Sequence, residues 1–143
     1  MERTAKAVWA GTLKEGKGEL TTPSGILNKT NYSFKTRFEE GVTGTNPEEL
    51  IAAAHAGCFA MAVGAALTEK GLNPKSLSAE ATVSMKGLDI TGVHLSITGS
   101  VSGVDEATFT AITKEAEKNC IISKALRVPI TSEAHFVAEK KMA

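Results

Sequence analysis

The 143-residue sequence predicts an α+β fold in which antiparallel strands are arranged around one long central helix. Residues 50–68 carry no charged side chain and lie between clear helix start and stop signals. Residues 77–85 and 93–101 alternate apolar and polar side chains, which is the pattern of half-buried strands. The length is typical of one domain, and we expect residues 1–143 to form a single one.

The first strands precede the central helix and form a predicted hairpin. An opening strand over residues 5–13 contains a tryptophan, and the turn-forming residues 15–18 lead into a returning strand at 19–22. Residues 32–38 alternate aromatic or threonine side chains with polar ones. This alternation predicts another strand, with Arg37 on the face opposite the aromatic rings.

Both ends of the central helix are marked in the sequence. Asn46 can accept a hydrogen bond from the free amides of the first turn, and Pro47 fits the first helical position. Glu48 and Glu49 follow at the positive end of the helix dipole. Gly71 can take the left-handed conformation that often ends a helix, so the predicted helix runs from residue 46 to about residue 70.

Apolar side chains occur on all sides of this helix, which therefore must be buried all round. At about 1.5 Å per residue its length is roughly 37 Å, more than the width of a domain of this size. Small residues at Gly57, Ala60 and Gly64 would let a second helix approach closely. We therefore predict a homodimer with this helix at the seam.

A membrane span is the alternative explanation of the same apolar stretch, which is long enough to cross a bilayer. His55 lies within it, and flanking basic or aromatic anchors are lacking. We therefore predict no membrane partner.

The elements after the central helix follow from the same patterns. The two alternating strands join near residues 87–92. Asp105 caps a predicted second helix that ends at about residue 118, and a short helix at 121–126 and a last strand at 127–138 complete the chain.

The charge distribution excludes one class of partner. The 16 basic and 16 acidic residues cancel and are mixed along the chain. Because no basic cluster is available to bind phosphates, we expect no nucleic-acid partner. No apolar run follows the first basic residues, so we expect no signal or transit peptide and a cytoplasmic location.

The chain has two cysteines, Cys58 on the central helix and Cys120 after the second one. A structural disulfide between them is disfavoured in a reducing compartment, and from the residues alone two inert, buried thiols remain an alternative. His55 lies three residues before Cys58 on the same helix face, a spacing that suits a Cys–His nucleophile pair or two metal ligands. A histidine at such a position is more often a packed core residue.

A longer motif points to a family. The run GTNPEELIAAAHAGCFAMA at residues 44–62 closely resembles the signature of the OsmC (osmotically inducible protein C) family, which includes the organic hydroperoxide resistance proteins. The W-x-G-x-L-K-x-G-K-G run at residues 9–18, the turn at 24–28 and the second cysteine also fall where that family has them. The resemblance covers essentially the full length, and the arginine within residues 32–38 makes the sequence more similar to the OsmC branch.

The resemblance implies a thiol peroxidase that reduces organic hydroperoxides to alcohols, and an intertwined homodimer with active sites at the subunit interface. Cys58 matches the peroxidatic cysteine and Cys120 the resolving cysteine, while Arg37 matches the active-site arginine and Glu48 the carboxylate that holds it. No metal, flavin or haem cofactor is implied. The implied reductant is an external dithiol, with lipoylated proteins as the donor to which the family points.

The implied chemistry needs these residue types. A free cysteine, with a pKa of about 8.5, is mostly protonated at neutral pH, and the thiolate is the form that attacks a peroxide. Cys58 lies ten positions after Glu48, about 15 Å beyond the helix start, where the helix dipole has little effect. Arg37 must therefore supply the positive charge. The same distance separates an arginine held by Glu48 from Cys58 of its own chain, so we expect each site to combine residues of both subunits.

One position departs from the family pattern. Proline commonly follows the second cysteine there, whereas Ile121 follows Cys120 here, with Ser123 kept two positions later. We expect a less rigid loop, which affects the rate of disulfide formation more than the identity of the resolving cysteine.

Two other classes of function stay open. One is a Cys58–His55 hydrolase acting on acyl groups, and the other is a noncatalytic, stress-related binding protein. Four apolar side chains are candidates to favour alkyl or aryl hydroperoxides, namely Phe34, Phe38, Phe59 and Met61. Most of them are expected to pack in the core.

Overall fold

The computed structural model describes residues 1–138, which belong to two compact units, Met1–Leu50 and the residues from Ile51 onward. The predicted α+β class and the long helix are confirmed. The first unit contains an antiparallel sheet with the strand order β1 (Lys6–Ala10), β2 (Lys17–Thr21) and β3 (Thr30–Tyr32). The predicted N-terminal hairpin is therefore confirmed.

Trp9 and Tyr32 meet across this sheet. Gly18 on the middle strand pairs with Trp9 on one side and with Tyr32 on the other, and the two ring centroids are 5.7 Å apart. A Cβ atom on Gly18 would overlap the Tyr32 ring. The close approach of this ring to β2 therefore requires glycine.

The strand predicted for residues 32–38 is wrong beyond Tyr32, because a short helix follows, α1 (Phe34–Phe38). The Ser33 hydroxyl accepts a hydrogen bond from the Thr36 N–H at 3.2 Å, and the Thr36 hydroxyl accepts one from the Ser33 N–H at 2.7 Å. This reciprocal capping box satisfies donors at the helix start and outweighs the strand-like alternation. Arg37 is thus not set apart from the aromatic rings, since its Cζ lies 5.3 Å from the Phe38 ring centroid.

The central helix, α2 (Pro47–Glu69), is continuous over 23 residues. Asn46 caps it as predicted, because its Oδ1 accepts a hydrogen bond from the Glu49 N–H at 2.8 Å. The Asn46 amide also donates to the Thr36 carbonyl at 3.0 Å, which connects the start of α2 to α1. At the other end Gly71 has the predicted left-handed conformation, with φ of 75°.

Within one chain α2 is buried on one side, whereas the sequence predicts burial all round. The buried side chains recur every fourth residue, at His55, Phe59, Val63 and Leu67. The opposite side is exposed at Ala54, Gly57, Met61 and Ala65. By length and composition alone α2 could also cross a membrane, but the core helix of a soluble protein passes the same test.

The second unit continues with a long antiparallel hairpin, β4 (Pro74–Lys86) and β5 (Asp89–Val101). Two helices follow, α3 (Glu106–Asn119) and α4 (Ile121–Ala125), and then β6 (Ile130–Phe136). Asp105 caps α3 as predicted, because its carboxylate accepts a hydrogen bond from the Thr108 N–H at 2.7 Å. The predicted last strand is confirmed over residues 130–136.

The pairing of β6 with β5 differs from the antiparallel pairing that the sequence predicts. The two strands are parallel, and the sheet order is β4-β5-β6. Parallel neighbours need a crossover connection, which α3 and α4 provide between β5 and β6. The other strand pairs in both sheets are antiparallel.

The hydrophobic core lies in the second unit. It joins the buried side of α2 to alternate residues of β5 and to the inner face of α3, with Val93, Leu95, Ile97, Phe109, Ile112 and Cys120 among its members. The described residues up to Leu50 contribute no buried hydrophobic side chain.

Candidate active site

The structure brings the two cysteines together. Cys58 lies in the middle of α2 and is half-buried, whereas Cys120 lies between α3 and α4 and is 1% exposed. Both are free thiols, and the Cys58 side chain is close enough to help lower the pKa of Cys120. A cysteine on one helix thus faces a cysteine at a helix junction, an arrangement that suits reversible disulfide formation.

Opposing effects act on the Cys120 thiol. Burial is the largest and by itself raises the pKa, but the amide of Ser123, the Cys58 side chain, the Ser123 hydroxyl and the amide of Ile122 all favour the thiolate. Together they hold the pKa of Cys120 below its ordinary value. The sulfur makes no capping hydrogen bond of standard geometry to α4, so the two amides act on it at longer range.

Arg37 and Glu48 form an ion pair within the first unit. Arg37 Nη2 lies 2.6 Å and Nε 2.9 Å from Glu48 Oε1, and Nε also lies 3.2 Å from Oε2. Glu48 is 7% exposed, whereas the Arg37 side chain is 39% exposed. A buried carboxylate therefore fixes a guanidinium whose outer side stays accessible.

A cavity of about 310 Å³ adjoins this ion pair. Its lining is mostly aromatic or aliphatic and includes Trp9, Leu13, Tyr32, Ser33, Phe34, Arg37, Phe38 and Pro47. Two candidate apolar residues, Phe34 and Phe38, thus belong to the cavity, with ring centroids 4.8 Å apart. Phe59 is fully buried in the core, and Met61 is 77% exposed on α2.

His55 is a core residue, as the more common role of such a histidine predicts. It is 0% exposed, and its Nε2 lies 2.7 Å from the Ser123 hydroxyl oxygen. Within residues 1–138, its Nδ1 has no hydrogen-bond partner. Since neither ring nitrogen is engaged with Cys58, the chain does not form the Cys58–His55 pair that a hydrolase would need.

The contact between His55 and Ser123 is the feature of this site that sequence reasoning missed. A signal for it was present, because His55 precedes Cys58 by three residues and Ser123 follows Cys120 by three. One helical turn separates the members of each pair, so the meeting of the two thiols can bring the other two side chains together.

Within residues 1–138, no three His, Cys, Asp or Glu side chains are grouped so that they could hold a metal ion. The histidines near β6 are instead paired with Glu133, which lies 2.8 Å from His94 and 3.0 Å from His135. The hydrogen bond from His94 is the main cause that lowers the pKa of Glu133.

Comparison with known proteins gives one consistent family. The family model for OsmC-like proteins matches residues 39–134. The chain is 44% identical over 135 residues to peroxiredoxin OsmC of Escherichia coli K12, covering 92% of this chain and 94% of that protein. It is 32% identical over 113 residues to organic hydroperoxide resistance protein OhrB of Bacillus subtilis, covering 77% and 82% of the two chains.

The fold agrees with this relationship. The crystal structure of an OsmC-like protein from Mycoplasma pneumoniae superposes with a TM-score of 0.74 at 14% identity, covering 96% of this chain and 98% of that one. The long helix with its cysteine, the paired Arg37 and Glu48, and the matches over most of the sequence lead to one conclusion: this chain belongs to the OsmC-like protein family.

Proposed function

We propose that this protein is a cysteine-based peroxidase that reduces organic hydroperoxides, and hydrogen peroxide more weakly, in oxidative and osmotic stress defence. The observation that carries the proposal is the contact between the thiols of Cys58 and Cys120, one half-buried on α2 and the other buried beside α4. The names of the E. coli and B. subtilis relatives support the same activity.

The proposed reaction begins at Cys58. Its thiolate attacks the outer peroxide oxygen, the O–O bond breaks, and the alkoxide takes a proton and leaves as the alcohol. Cys58 becomes a sulfenic acid, and Cys120 condenses with it to a disulfide with release of water. An external dithiol reduces this disulfide by exchange, so hydroperoxide and dithiol become alcohol, water and oxidised dithiol. Neither metal nor organic cofactor takes part, and a lipoylated protein is the proposed dithiol donor.

Arg37 and Glu48 have separate roles in this proposal. The Arg37 guanidinium stabilises the Cys58 thiolate and the charge that develops on the leaving alkoxide, while Glu48 fixes the guanidinium. Because α2 is continuous, Glu48 and Cys58 of one chain are about 15 Å apart along the helix axis. We therefore place in each site the cysteines of one subunit and the arginine–glutamate pair of the other.

The aromatic cavity beside Arg37 is the proposed binding place for the organic part of the substrate. Phe34 and Phe38 offer apolar surface next to the guanidinium. A hydroperoxide with an alkyl or aryl group gains from burial of that group, whereas hydrogen peroxide does not. This difference supports the preference for organic hydroperoxides.

A homodimer in the cytoplasm is the proposed form of the protein. All five residues of β1 are exposed in the single chain, and so is the side of α2 that carries Gly57 and Met61. The first unit has no buried hydrophobic side chain, and a segment of about this length is rarely stable without additional contacts. A second copy would cover both surfaces, as expected for an intertwined dimer, with no membrane or nucleic acid as partner.

The test is consumption of cumene hydroperoxide by the purified protein with dihydrolipoamide. We expect turnover by the wild type, none by Cys58→Ser, and a Cys120→Ser protein that stalls as the sulfenic acid or depends on added thiol. Ala56→Ser is the matched control, because it adds the same hydroxyl two residues from Cys58 and leaves both thiols in place. A wild type that consumes no peroxide while both thiols titrate as reduced would favour the noncatalytic binding protein.

A further inference from the structure

His55 is a buried, titratable side chain that the proposed peroxidase cycle does not use. Its ring is 0% exposed, with Nε2 2.7 Å from the Ser123 Oγ and no partner for Nδ1 among the described residues. Burial lowers the pKa of His55, and the charge of Glu117 acts in the opposite direction but more weakly. The ring is therefore neutral at physiological pH and carries a single N–H.

The hydrogen-bond partners decide which nitrogen carries this proton. A proton on Nδ1 would leave a buried N–H without an acceptor, which is among the rarest arrangements in folded proteins. A proton on Nε2 is donated to the Ser123 oxygen, and Nδ1 is left with only an unused lone pair. The Nε2–H form is thus the stable one.

The same choice determines what the Ser123 hydroxyl can do. Ser123 has a single hydroxyl proton. Since its oxygen accepts from His55, this proton is free to be donated to the sulfur of Cys120, with which the Ser123 side chain also interacts. The donors then form a chain from His55 Nε2–H to Ser123 O–H to the Cys120 sulfur.

We propose that His55 and Ser123 form a hydrogen-bond relay that favours the thiolate form of Cys120 next to Cys58 and so sets the rate at which the disulfide closes. The inference rests on the proposed peroxidase function. His55 is a positioning residue in this relay, because it acts on Cys120 through Ser123. The lowered pKa of Cys120 agrees with a donor at this sulfur.

The step that the relay assists is balanced within the two side chains. The Cys120 thiolate attacks the sulfur of the Cys58 sulfenic acid, the S–S bond forms, and the S–O bond breaks. The hydroxide that leaves takes up a proton equivalent to the one that Cys120 gave up, and water is the product. No further oxidant or reductant is needed.

A titration that needs no peroxidase activity tests the relay directly. In the Cys58→Ser background Cys120 is the only cysteine, and its ionisation is followed by thiolate ultraviolet absorbance. We expect Ser123→Ala and His55→Leu to leave roughly tenfold less thiolate at a given pH below the midpoint, as loss of one hydrogen bond to a charged group would do. Ser123→Thr and His55→Gln keep a donor and should restore the midpoint.

Single-turnover kinetics test the consequence. With one equivalent of cumene hydroperoxide, mass spectrometry separates the Cys58 sulfenic acid from the disulfide. We expect Ser123→Ala to form the sulfenic acid at the wild-type rate and to close the disulfide roughly threefold more slowly, because a less acidic thiol is less ionised but more nucleophilic. Lys124→Ala, an exposed neighbour on α4, is the control.

The outcomes separate the two proposals. An unchanged midpoint of the Cys120 titration in Ser123→Ala overturns the relay. Disulfide closure that stays slow in both Ser123→Thr and His55→Gln also overturns it. If the wild type consumes no peroxide but the midpoints move as expected, the relay stands and the peroxidase assignment fails. Should His55→Leu fold poorly, Ser123→Ala decides, since Ser123 is only half-buried.

Discussion

Glu48 is the glutamate of α2 that is removed from solvent, because both of its oxygens contact Arg37. Its neighbour Glu49 is exposed and hydrogen-bonds Thr45 instead. Two adjacent acids on one helical turn therefore have different surroundings, which gives a matched pair of variants.

We expect Glu48→Gln to lower kcat/KM for cumene hydroperoxide at least roughly tenfold, because a neutral amide no longer fixes the guanidinium in a productive position. Glu49→Gln should retain wild-type kinetics. Steady-state assays of both variants, with circular dichroism to check folding, give the comparison. Wild-type kcat/KM in Glu48→Gln would exclude the role proposed for the ion pair.

His55 gives the protein a pH dependence of stability. The folded-state pKa is lowered by burial, so between that value and the unfolded value of about 6.5 the unfolded chain binds more protons. The free energy of unfolding should therefore fall as the pH decreases through about 6.5, and this contribution is fully present above it. Urea unfolding at a series of pH values measures the slope.

The matched variants are His55→Gln and His135→Gln. His55→Gln removes the titrating ring and should flatten the slope between pH values of about 7 and 5. His135 is exposed, with 53% of its side chain accessible, and His135→Gln is the control for loss of an exposed imidazole. Equal slopes in all three proteins would show that the buried ring is not its source.

At this scale the sequence identified Cys58, Cys120, Arg37 and Glu48 through a motif, and their catalytic roles stay predictions. Ser123 was noted but given no role, since a contact between α2 and α4 depends on tertiary packing. Ile121 is 73% exposed and α4 still forms after Cys120, so the missing proline does not prevent this helix. Its effect on the rate of disulfide formation stays a prediction.

Among the elements, α1 shows how local hydrogen bonds can outweigh an alternating pattern. Residues 32–38 alternate as a strand would, but a stretch this short fits either period. The Ser33 and Thr36 side chains bond each other's backbone N–H groups and decide for a helix. A serine followed three residues later by threonine was the visible signal.

The parallel direction of the β5–β6 pair was harder to predict from the sequence, because strand direction depends on the path of the whole α3–α4 connection.

Asn46 joins two elements, since one end of its amide caps α2 and the other bonds the Thr36 carbonyl of α1. We expect Asn46→Ala to lower the free energy of unfolding by about 1–2 kcal/mol. Asn46→Asp keeps the capping oxygen but loses the donor to α1, and should cost less. Urea unfolding measures both. An Asn46→Asp protein as unstable as Asn46→Ala would assign the main contribution to the Thr36 contact.

For the whole molecule, the helix that the sequence predicts to be buried on all sides is covered on one side by its own chain. The exposed side of α2 carries Met61, and the described residues up to Leu50 lack a buried apolar side chain. The exposed side of α2 and the first unit therefore both support the dimer that helix length predicts, and the dimer itself stays a prediction. That residues 1–143 act as one domain also stays a prediction.

Met61→Lys places a charge on the proposed seam and should convert the dimer to a monomer. The charge cannot be buried against a second apolar helix without a large cost. Peroxidase activity should fall with the dimer, because each proposed site uses both subunits. Sedimentation equilibrium measures the mass.

Leu88→Lys is the control for this substitution. Leu88 is a similarly exposed apolar residue at the β4–β5 turn, with 84% of its surface accessible. Its replacement by lysine should leave the mass of the dimer unchanged. A dimeric Met61→Lys protein with normal activity would exclude this side of α2 as the seam.

The lack of apolar burial before Leu50 also bears on biosynthesis. These residues leave the ribosome before α2 and the core that follows it, and they have little to pack against at that time. If the protein is the proposed dimer, the second unit can fold as soon as it is made, with both thiols adjacent, whereas the segment that carries Arg37 would wait for another copy of the chain. Newly made protein would therefore become active with second-order kinetics, and the concentration of chains would set how soon a cell gains the peroxidase.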